Sequence, residues 1–205
     1  MPGACRNSPG AAKENGLDDP TEPALTLPAV IDACAIDLDG TLTVGQGLTL
    51  GAKELLTATQ GAFAVLSNNS SHTPAELSAE LAALGLSVPA KRIVLAGAQT
   101  VRLLSTQQPG VRVMLFGSPA LERLASEAGL VLTQERAHII VLARDERFSY
   151  EDIARAANAL RRGARLVVTN ADLTHPGPDG TVVPETGALL AAVRACAPDL
   201  ACRVI

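Results

Sequence analysis

Two aspartates, Asp37 and Asp39, directly follow a short apolar run in the segment ACAIDLDGT. In an extended strand, residues i and i+2 point to the same side, so both carboxylates would project together from the carboxyl end of that strand. Two neighbouring carboxylates raise each other's proton affinity unless a cation lies between them, and their oxygens suit a divalent ion such as Mg²⁺. The spacing therefore predicts a Mg²⁺ site held by Asp37 and Asp39.

The acidic pair is also compatible with interpretations other than a Mg²⁺ site. An isolated pair of this kind is also typical of a polar turn after a buried strand. A calcium loop requires glycine at its sixth position and glutamate at its twelfth, whereas Gly40 is fourth and Leu48 is twelfth here. The sequence contains no GxxxxGK[ST] phosphate loop. The metal site and the polar turn stay open on the residues of this segment alone.

The elements that must position the acids form an alternating pattern. Short apolar runs alternate with helical patterns, which predicts an α/β fold with parallel strands, whose ligands bind at the carboxyl ends of the strands. Helix starts are indicated by a capping residue followed by Pro or by an acid three residues later, at Thr73, Ser118 and Ser149. The predicted strands are Ala33 to Leu38, Ala62 to Ser67, Arg112 to Phe116, His138 to Ala143 and Arg165 to Thr169.

Composition excludes several classes of protein. The chain has 205 residues, 47% of them apolar, and a net charge of −4 without a basic stripe, so we expect no nucleic-acid partner. Residues 1–28 contain no apolar segment long enough for a signal peptide or a membrane anchor, and we expect a flexible leader. Four cysteines without a CxxC pair favour a cytoplasmic protein, and three widely spaced histidines disfavour a zinc site.

Two motifs resemble those of the haloacid dehalogenase (HAD) superfamily. The segment DLDGTL is similar to its first motif, and the segment FAVLSNNS, a strand that ends in a hydroxyl residue, is similar to its second. The resemblance implies that Asp37 is a nucleophile that takes up a phosphoryl group and that Asp39 is the general acid and base. It further implies that Gly40, Ser67 and Asn68 bind the substrate. An aspartate at position 39 favours phosphatases over the dehalogenases of that superfamily.

A narrower resemblance links the chain to the type IIA branch, which includes NagD-like and p-nitrophenyl phosphatase proteins. The segment VTNADLTHPGPDGTVVPETGALL is similar to the cap of that branch, and Asn170 and Asp172 match its substrate-side positions. On the residues alone, Asn170, Asp172 and His175 are equally compatible with a structural role in a turn-rich loop. Glu185 stands where the branch more usually has glycine. The implied fold is a HAD-like Rossmannoid parallel-sheet core with an inserted α/β cap. We expect the core at 29–88, the cap at 89–195 and a return towards the core at 196–205.

The third and fourth motifs of the superfamily, a lysine turn and an acidic loop, have no match before Ile205. The chain therefore resembles the amino-terminal part of a longer enzyme. Two functions stay open: a Mg²⁺-dependent phosphatase for small phosphorylated metabolites, and a non-catalytic HAD-like protein that binds a phosphorylated ligand or a partner. The branch often pairs through its caps, so a homodimer through the cap is a further expectation, and no membrane partner is expected.

Overall fold

The structure, a computed structural model, describes residues 33–177, 180–198 and 201–205. The predicted leader at 1–28 and the predicted start of the core at residue 29 lie outside the described residues. In chain order the strands are β1 (Cys34–Asp37), β2 (Thr43–Val44), β3 (Gly47–Leu48), β4 (Phe63–Ser67), β5 (Ile93–Leu95), β6 (Arg112–Phe116), β7 (Val131–Leu132), β8 (Ile139–Leu142), β9 (Arg165–Val168), β10 (Thr174–Pro176), β11 (Val182–Pro184) and β12 (Cys202–Val204). The helices are α1 (Ala52–Ala58), α2 (Pro74–Ala83), α3 (Ala96–Gln107), α4 (Pro119–Glu127), α5 (Tyr150–Arg161) and α6 (Thr186–Cys196).

The amino-terminal part contains a parallel sheet of three described strands in the order β1-β4-β5. The register places Asp37 of β1 beside Leu66 of β4, so the carboxyl ends of these two strands lie next to each other. Its core includes Ile36 and Val65 from the strands and Leu77 and Leu81 from α2. A short antiparallel hairpin, β2-β3, follows β1.

The second sheet is parallel and has five described strands in the order β12-β9-β8-β6-β7. Every residue of the central strand β8 is buried, because helices cover both faces of the sheet. Ile139 and Val141 pack on the face covered by α3 and α4, whereas Ile140 and Leu142 pack on the face covered by α5 and α6. Together the two sheets confirm the predicted α/β class with parallel strands.

The five predicted strands are all present, each within two residues of its predicted bounds, as β1, β4, β6, β8 and β9. β5, which pairs with β4 in the first sheet, is not predicted from the sequence. β5 has only three residues, and α3 begins at the next residue without a turn between them. Its apolar residues therefore cannot be distinguished from the start of the helix by pattern alone. The segment 196–205 contains β12, which pairs with β9 in the second sheet. The division into core and cap stays a prediction.

The predicted helix starts are confirmed by their hydrogen bonds. Thr73 and Ser149 each form a capping box with the acid three residues later, and Ser118 Oγ accepts from the N–H of Leu121. No helix in the described ranges has the length and apolar content needed to cross a membrane.

The capping box of α5 is the more buried of the two. Asp152 is 8% exposed; it accepts hydrogen bonds from the N–H and hydroxyl of Ser149 and pairs with Arg155. Burial raises the pKa of the Asp152 carboxyl, but the hydrogen bonds from Arg155 and Ser149 outweigh it, so the net pKa lies below the usual value. Ionised Asp152 therefore stabilises the folded chain.

Replacing Asp152 with Ala should lower the free energy of unfolding at pH 7 by about 1–2 kcal/mol, because two cap hydrogen bonds and an ion pair are lost. A folded-state pKa below the unfolded one gives stability that is present above the unfolded pKa and is lost as pH falls through the folded pKa. The difference between the two proteins should therefore narrow as the pH falls below about 4.

Urea unfolding at pH 7 and at pH 3 checks this prediction. The matched control is Glu151→Ala, which removes an exposed carboxylate from the same helical turn and should change stability by less than about 0.5 kcal/mol. Equal losses in the two variants would show that the capping box contributes nothing beyond charge at the helix start.

Candidate active site

Asp37 is the last residue of β1, and Asp39 lies two residues further on. Ile36 and Leu38 are each 3% exposed and belong to the core, whereas Asp37 and Asp39 are exposed. The alternation of buried and exposed residues thus continues past the strand end. Both carboxylates lie on the side opposite the buried residues and are accessible to a ligand.

A tight turn after β1 fixes the position of Asp39. The carbonyl oxygen of Leu38 accepts hydrogen bonds from the N–H groups of Leu42 and Thr43, at 2.8 and 3.0 Å. Gly40 has a φ of +79°, which a residue with a Cβ adopts only with strain, and its N–H donates to the Thr43 carbonyl. Gly40 therefore shapes the turn, and its own N–H is already engaged.

The end of β4 brings the second motif to the acids. The Ser67 hydroxyl, on a residue 9% exposed, donates to Asp39 Oδ2 at 3.3 Å and accepts from the N–H of Asn69 at 3.1 Å. Parallel pairing of β1 with β4 makes this contact because the two strands end at the same edge. The predicted residues Asp39 and Ser67, 28 positions apart in sequence, are thus direct neighbours.

Asn68 connects this edge to the end of β9. Its side-chain amide donates to Asp172 Oδ2, and its carbonyl accepts from the Asn170 side chain at 3.0 Å. The other end of the Asn170 amide accepts from the N–H of Asp172 at 3.1 Å. Asn170 is 7% exposed, so both ends of its amide are occupied by the protein. Asn68, Asn170 and Asp172, predicted to bind substrate, form one hydrogen-bonded group.

Gly187, at the start of α6, also bonds to the group formed by Asn68, Asn170 and Asp172. Its N–H donates to the Asp172 carbonyl at 2.7 Å. A Cβ at Gly187 would lie 2.3 Å from the Ala171 carbonyl oxygen and 2.6 Å from that of Asp172. The close approach requires glycine here, although the preceding segment departs from the pattern typical of the branch.

Two further contacts, not predicted from the sequence, attach the loop after β4 to the second sheet. Ser70, 1% exposed, accepts from the N–H of Arg144 at 3.0 Å, and the Ser118 hydroxyl donates to the Ser71 carbonyl at 2.5 Å. Ser118 follows β6 and Arg144 follows β8, so both contacts come from the carboxyl edge of the second sheet. The loop thus lies between the carboxyl edges of the two sheets.

A charged group lies beside these contacts. Glu185 Oε1 is 2.7 Å from His175 Nδ1 and 3.4 Å from Arg144 Nη1, and Arg144 Nη2 donates to Glu146 at 2.9 Å. The glutamate that replaces a usual glycine of the branch therefore contacts the side chains of both His175 and Arg144. Arg144 could have been identified from the sequence as a candidate site residue, because it is a polar residue directly after an apolar run, as Asp37 and Asp39 are.

The donor set suits a magnesium ion. The described part of the chain contains no group of three or more His, Cys, Asp or Glu side chains arranged to hold a metal. Mg²⁺ is commonly held by one or two carboxylates and completes its octahedron with water and phosphate oxygens. Asp37 and Asp39 supply two exposed carboxylates at one edge, which fits such an open site and does not fit a closed structural site.

Comparisons with known proteins agree with this geometry. The haloacid dehalogenase-like hydrolase family matches residues 34–131. A dihydroxyacetone phosphatase of Corynebacterium glutamicum is 35% identical over 78% of this chain and 58% of its own length. An acid sugar phosphatase of Staphylococcus aureus is 32% identical over 78% of this chain and 63% of its own length. The chain thus spans about three fifths of the curated relatives it matches.

Solved structures give the same result. A glycerol phosphate phosphatase of Mycobacterium tuberculosis, solved in complex with magnesium, superposes with a TM-score of 0.77 at 32% identity, over 84% of this chain and 54% of the other. A 4-nitrophenylphosphatase of Thermotoga maritima has a TM-score of 0.77 at 28% identity, over 84% of this chain and 67% of the other. With its two motifs adjacent at one sheet edge, the chain belongs to the haloacid dehalogenase superfamily of hydrolases, in the type IIA branch.

Proposed function

We propose that the protein hydrolyses phosphate monoesters of small metabolites through a phosphorylated aspartate. The observation that carries this proposal is the hydrogen bond from Ser67 to Asp39. It places a hydroxyl donor, suited to a phosphate oxygen, beside two exposed carboxylates. The relatives described above are named as phosphatases, which supports the same reaction class.

In the first step Asp37 acts as the nucleophile. One of its carboxylate oxygens bonds to phosphorus while the bond from phosphorus to the alcohol oxygen breaks. Asp39, on the same side of the chain, gives a proton to the leaving oxygen, so no free alkoxide forms. In the second step Asp39 takes a proton from water, whose oxygen attacks phosphorus and releases phosphate and the Asp37 carboxylate.

The remaining predicted residues divide into two roles. Ser67 and Asn68 lie at the edge where the phosphate must sit, so we assign them to phosphate binding. Gly40 shapes the turn after β1 through its bond to Thr43, and the side chains of Asn170 and Asp172 bond to Asn68. We assign these three to positioning: Gly40 forms the turn that carries Asp39, and the other two hold Asn68.

A Mg²⁺ ion held by the Asp37 carboxylate and one oxygen of Asp39 would screen the charge of the phosphate so that a carboxylate can approach it. The magnesium complex of the related glycerol phosphate phosphatase supports this choice of metal. The relatives act on dihydroxyacetone phosphate, sugar phosphates and glycerol phosphate by their names, so short polyol phosphates are the proposed substrates. The cap at 89–195, a homodimer through it and a cytoplasmic location stay predictions of the sequence.

The proposed reaction predicts phosphate release from glycerol phosphate and from p-nitrophenyl phosphate that requires Mg²⁺. Excess EDTA should abolish it, and added Mg²⁺ should restore it, because the acidic pair needs a cation to admit a dianion. The assay should use the 205-residue chain and a version extended with the carboxyl-terminal part of the C. glutamicum relative. Absence of phosphate release from both proteins with Mg²⁺ would favour the non-catalytic alternative.

The assigned roles of the two aspartates predict different kinetics. Asp37→Asn should lower kcat at least about a thousandfold with every substrate and prevent covalent phosphorylation, because the nucleophile is lost. Asp39→Asn should lower kcat by about 10²- to 10⁴-fold with glycerol phosphate, whose alkoxide needs a proton, and by much less with p-nitrophenyl phosphate.

Steady-state kinetics with both substrates and phosphate-labelling of the protein check these values. Asp145→Asn is the control. Asp145 also follows the end of a strand, but its carboxylate pairs with Arg147 and has no proposed role in the reaction. The role assignments are wrong if Asp39→Asn slows both substrates equally, or if Asp37→Asn still becomes labelled.

A further inference from the structure

A surface cavity lined by both apolar and charged residues lies beside α5, away from the acidic pair. It has a volume of about 640 Å³, within the range of small-molecule sites. Its polar lining comes from the loop between β7 and β8 and from one side of α5 with the residue that follows it: Gln134, Glu135, Arg136, Arg155, Asn158 and Arg162. Three guanidinium groups therefore face one cavity in a chain whose net charge is −4.

The balance of charge around the cavity is positive. Arg155 is paired with Asp152, and Glu135 lines the cavity, so three positive groups face two negative ones. Within the described residues, the guanidinium groups of Arg136 and Arg162 have no hydrogen-bond or ion-pair partner. Both are therefore available to an anion.

The cavity wall is held in place by its own contacts. Arg155 contacts Gln134 as well as Asp152, and its guanidinium lies 5.9 Å from the centre of the Phe116 ring. Arg112 donates to the carbonyls of Glu135 and Arg136, at 3.1 and 3.2 Å, and so fixes the loop. A site whose donors are already ordered loses less entropy when it binds a ligand.

Arg136 has a strained backbone. Its φ is +51°, a left-handed conformation that glycine or asparagine adopts at lower cost than arginine. Strain of this kind persists where the surrounding structure imposes it, and it is often found at ligand sites. At position 136, glycine or asparagine would therefore give a less strained backbone than arginine does.

Topology separates this cavity from the acidic pair. Gln134 and Arg136 precede β8, and Arg162 precedes β9, so these residues lie at the amino-terminal edge of the second sheet. Asn170, Asp172 and Arg144 follow β9 and β8 at its carboxyl edge. The two groups therefore belong to opposite edges of one sheet.

From these observations we propose that the cavity is a second site, which binds a small molecule with two or more phosphate groups. Arg155 lies in α5 and Arg162 caps its carboxyl end, seven positions further on, so the two residues are separated by about 10 Å along the helix axis. Guanidinium groups pair with phosphate through two parallel hydrogen bonds. Charges spread over such a length fit an elongated polyphosphate better than a single phosphate ion.

Isothermal titration of the 205-residue chain with inorganic tripolyphosphate tests this site without any requirement for catalysis. We expect a Kd below about 1 mM at low salt. Arg162→Ala and Arg136→Asn should each weaken binding at least about tenfold, because each removes a charge-assisted pair. Asparagine tolerates the backbone of residue 136, so the thermal midpoint of that variant should equal or exceed that of the parent, which separates lost binding from unfolding.

Arg161→Ala is the matched control, since it removes one exposed arginine from the same helix end and does not line the cavity. It should change the Kd less than twofold. The proposal is overturned by absence of binding to the parent chain, by equal weakening in Arg161→Ala and Arg162→Ala, or by citrate binding as tightly as tripolyphosphate. Because binding is measured without turnover, its failure leaves the phosphatase proposal unaffected, and failure of that proposal leaves this one unaffected.

Discussion

The loop between β4 and α2 must find hydrogen-bond partners outside regular structure, and this requirement organises the candidate site. Buried backbone groups without partners are costly, and the loop takes several of its partners from the second sheet. Asn170 satisfies the carbonyl of Asn68, Ser118 satisfies that of Ser71, and the N–H of Arg144 bonds to Ser70. Residues that follow β6, β8 and β9 thus hold the segment that places Ser67 beside Asp39.

These bonds link the end of β4 to the position of the second sheet. Ser67 is at the start of the loop, and the bonds from the second sheet begin one residue later, at Asn68. A shift of the second sheet relative to β4 would break these bonds or move Asn68 with it. Under the proposed function, a phosphate bound at Ser67 would therefore be connected to the second sheet through only a few residues of backbone.

The sequence alone predicts the features that depend on interactions between residues close together in the chain. The long apolar runs, the capping boxes at Thr73 and Ser149 and the acidic pair after β1 each follow from residue types at fixed spacing. Features that depend on distant contacts were not predictable in this way. β5 has three residues and becomes a strand only by pairing with β4, and β12 does so by pairing with β9.

The same distinction applies to the candidate site. The sequence assigned Asn170 to the substrate because of its place in a motif, but its two amide ends are occupied by Asn68 and Asp172. A polar residue at a strand end can either contact a ligand or hold the loop that does so. Only the partners of its side-chain atoms distinguish the two roles, and one of them, Asn68, lies 102 positions away in sequence.

Charge compensation at the carboxyl edge gives an independent argument for a metal. Arg144 is the basic residue that contacts the loop after β4, but its guanidinium pairs with Glu146 and Glu185, and Glu185 also contacts His175. Its positive charge is therefore already balanced within the described residues. A phosphate dianion beside Asp37 and Asp39 would bring further negative charge to a place that already holds two carboxylates, at a high electrostatic cost. A divalent cation held by Asp37 and one oxygen of Asp39 would remove this cost, so in the proposed reaction the residues that carry the chemistry also recruit the charge that permits it.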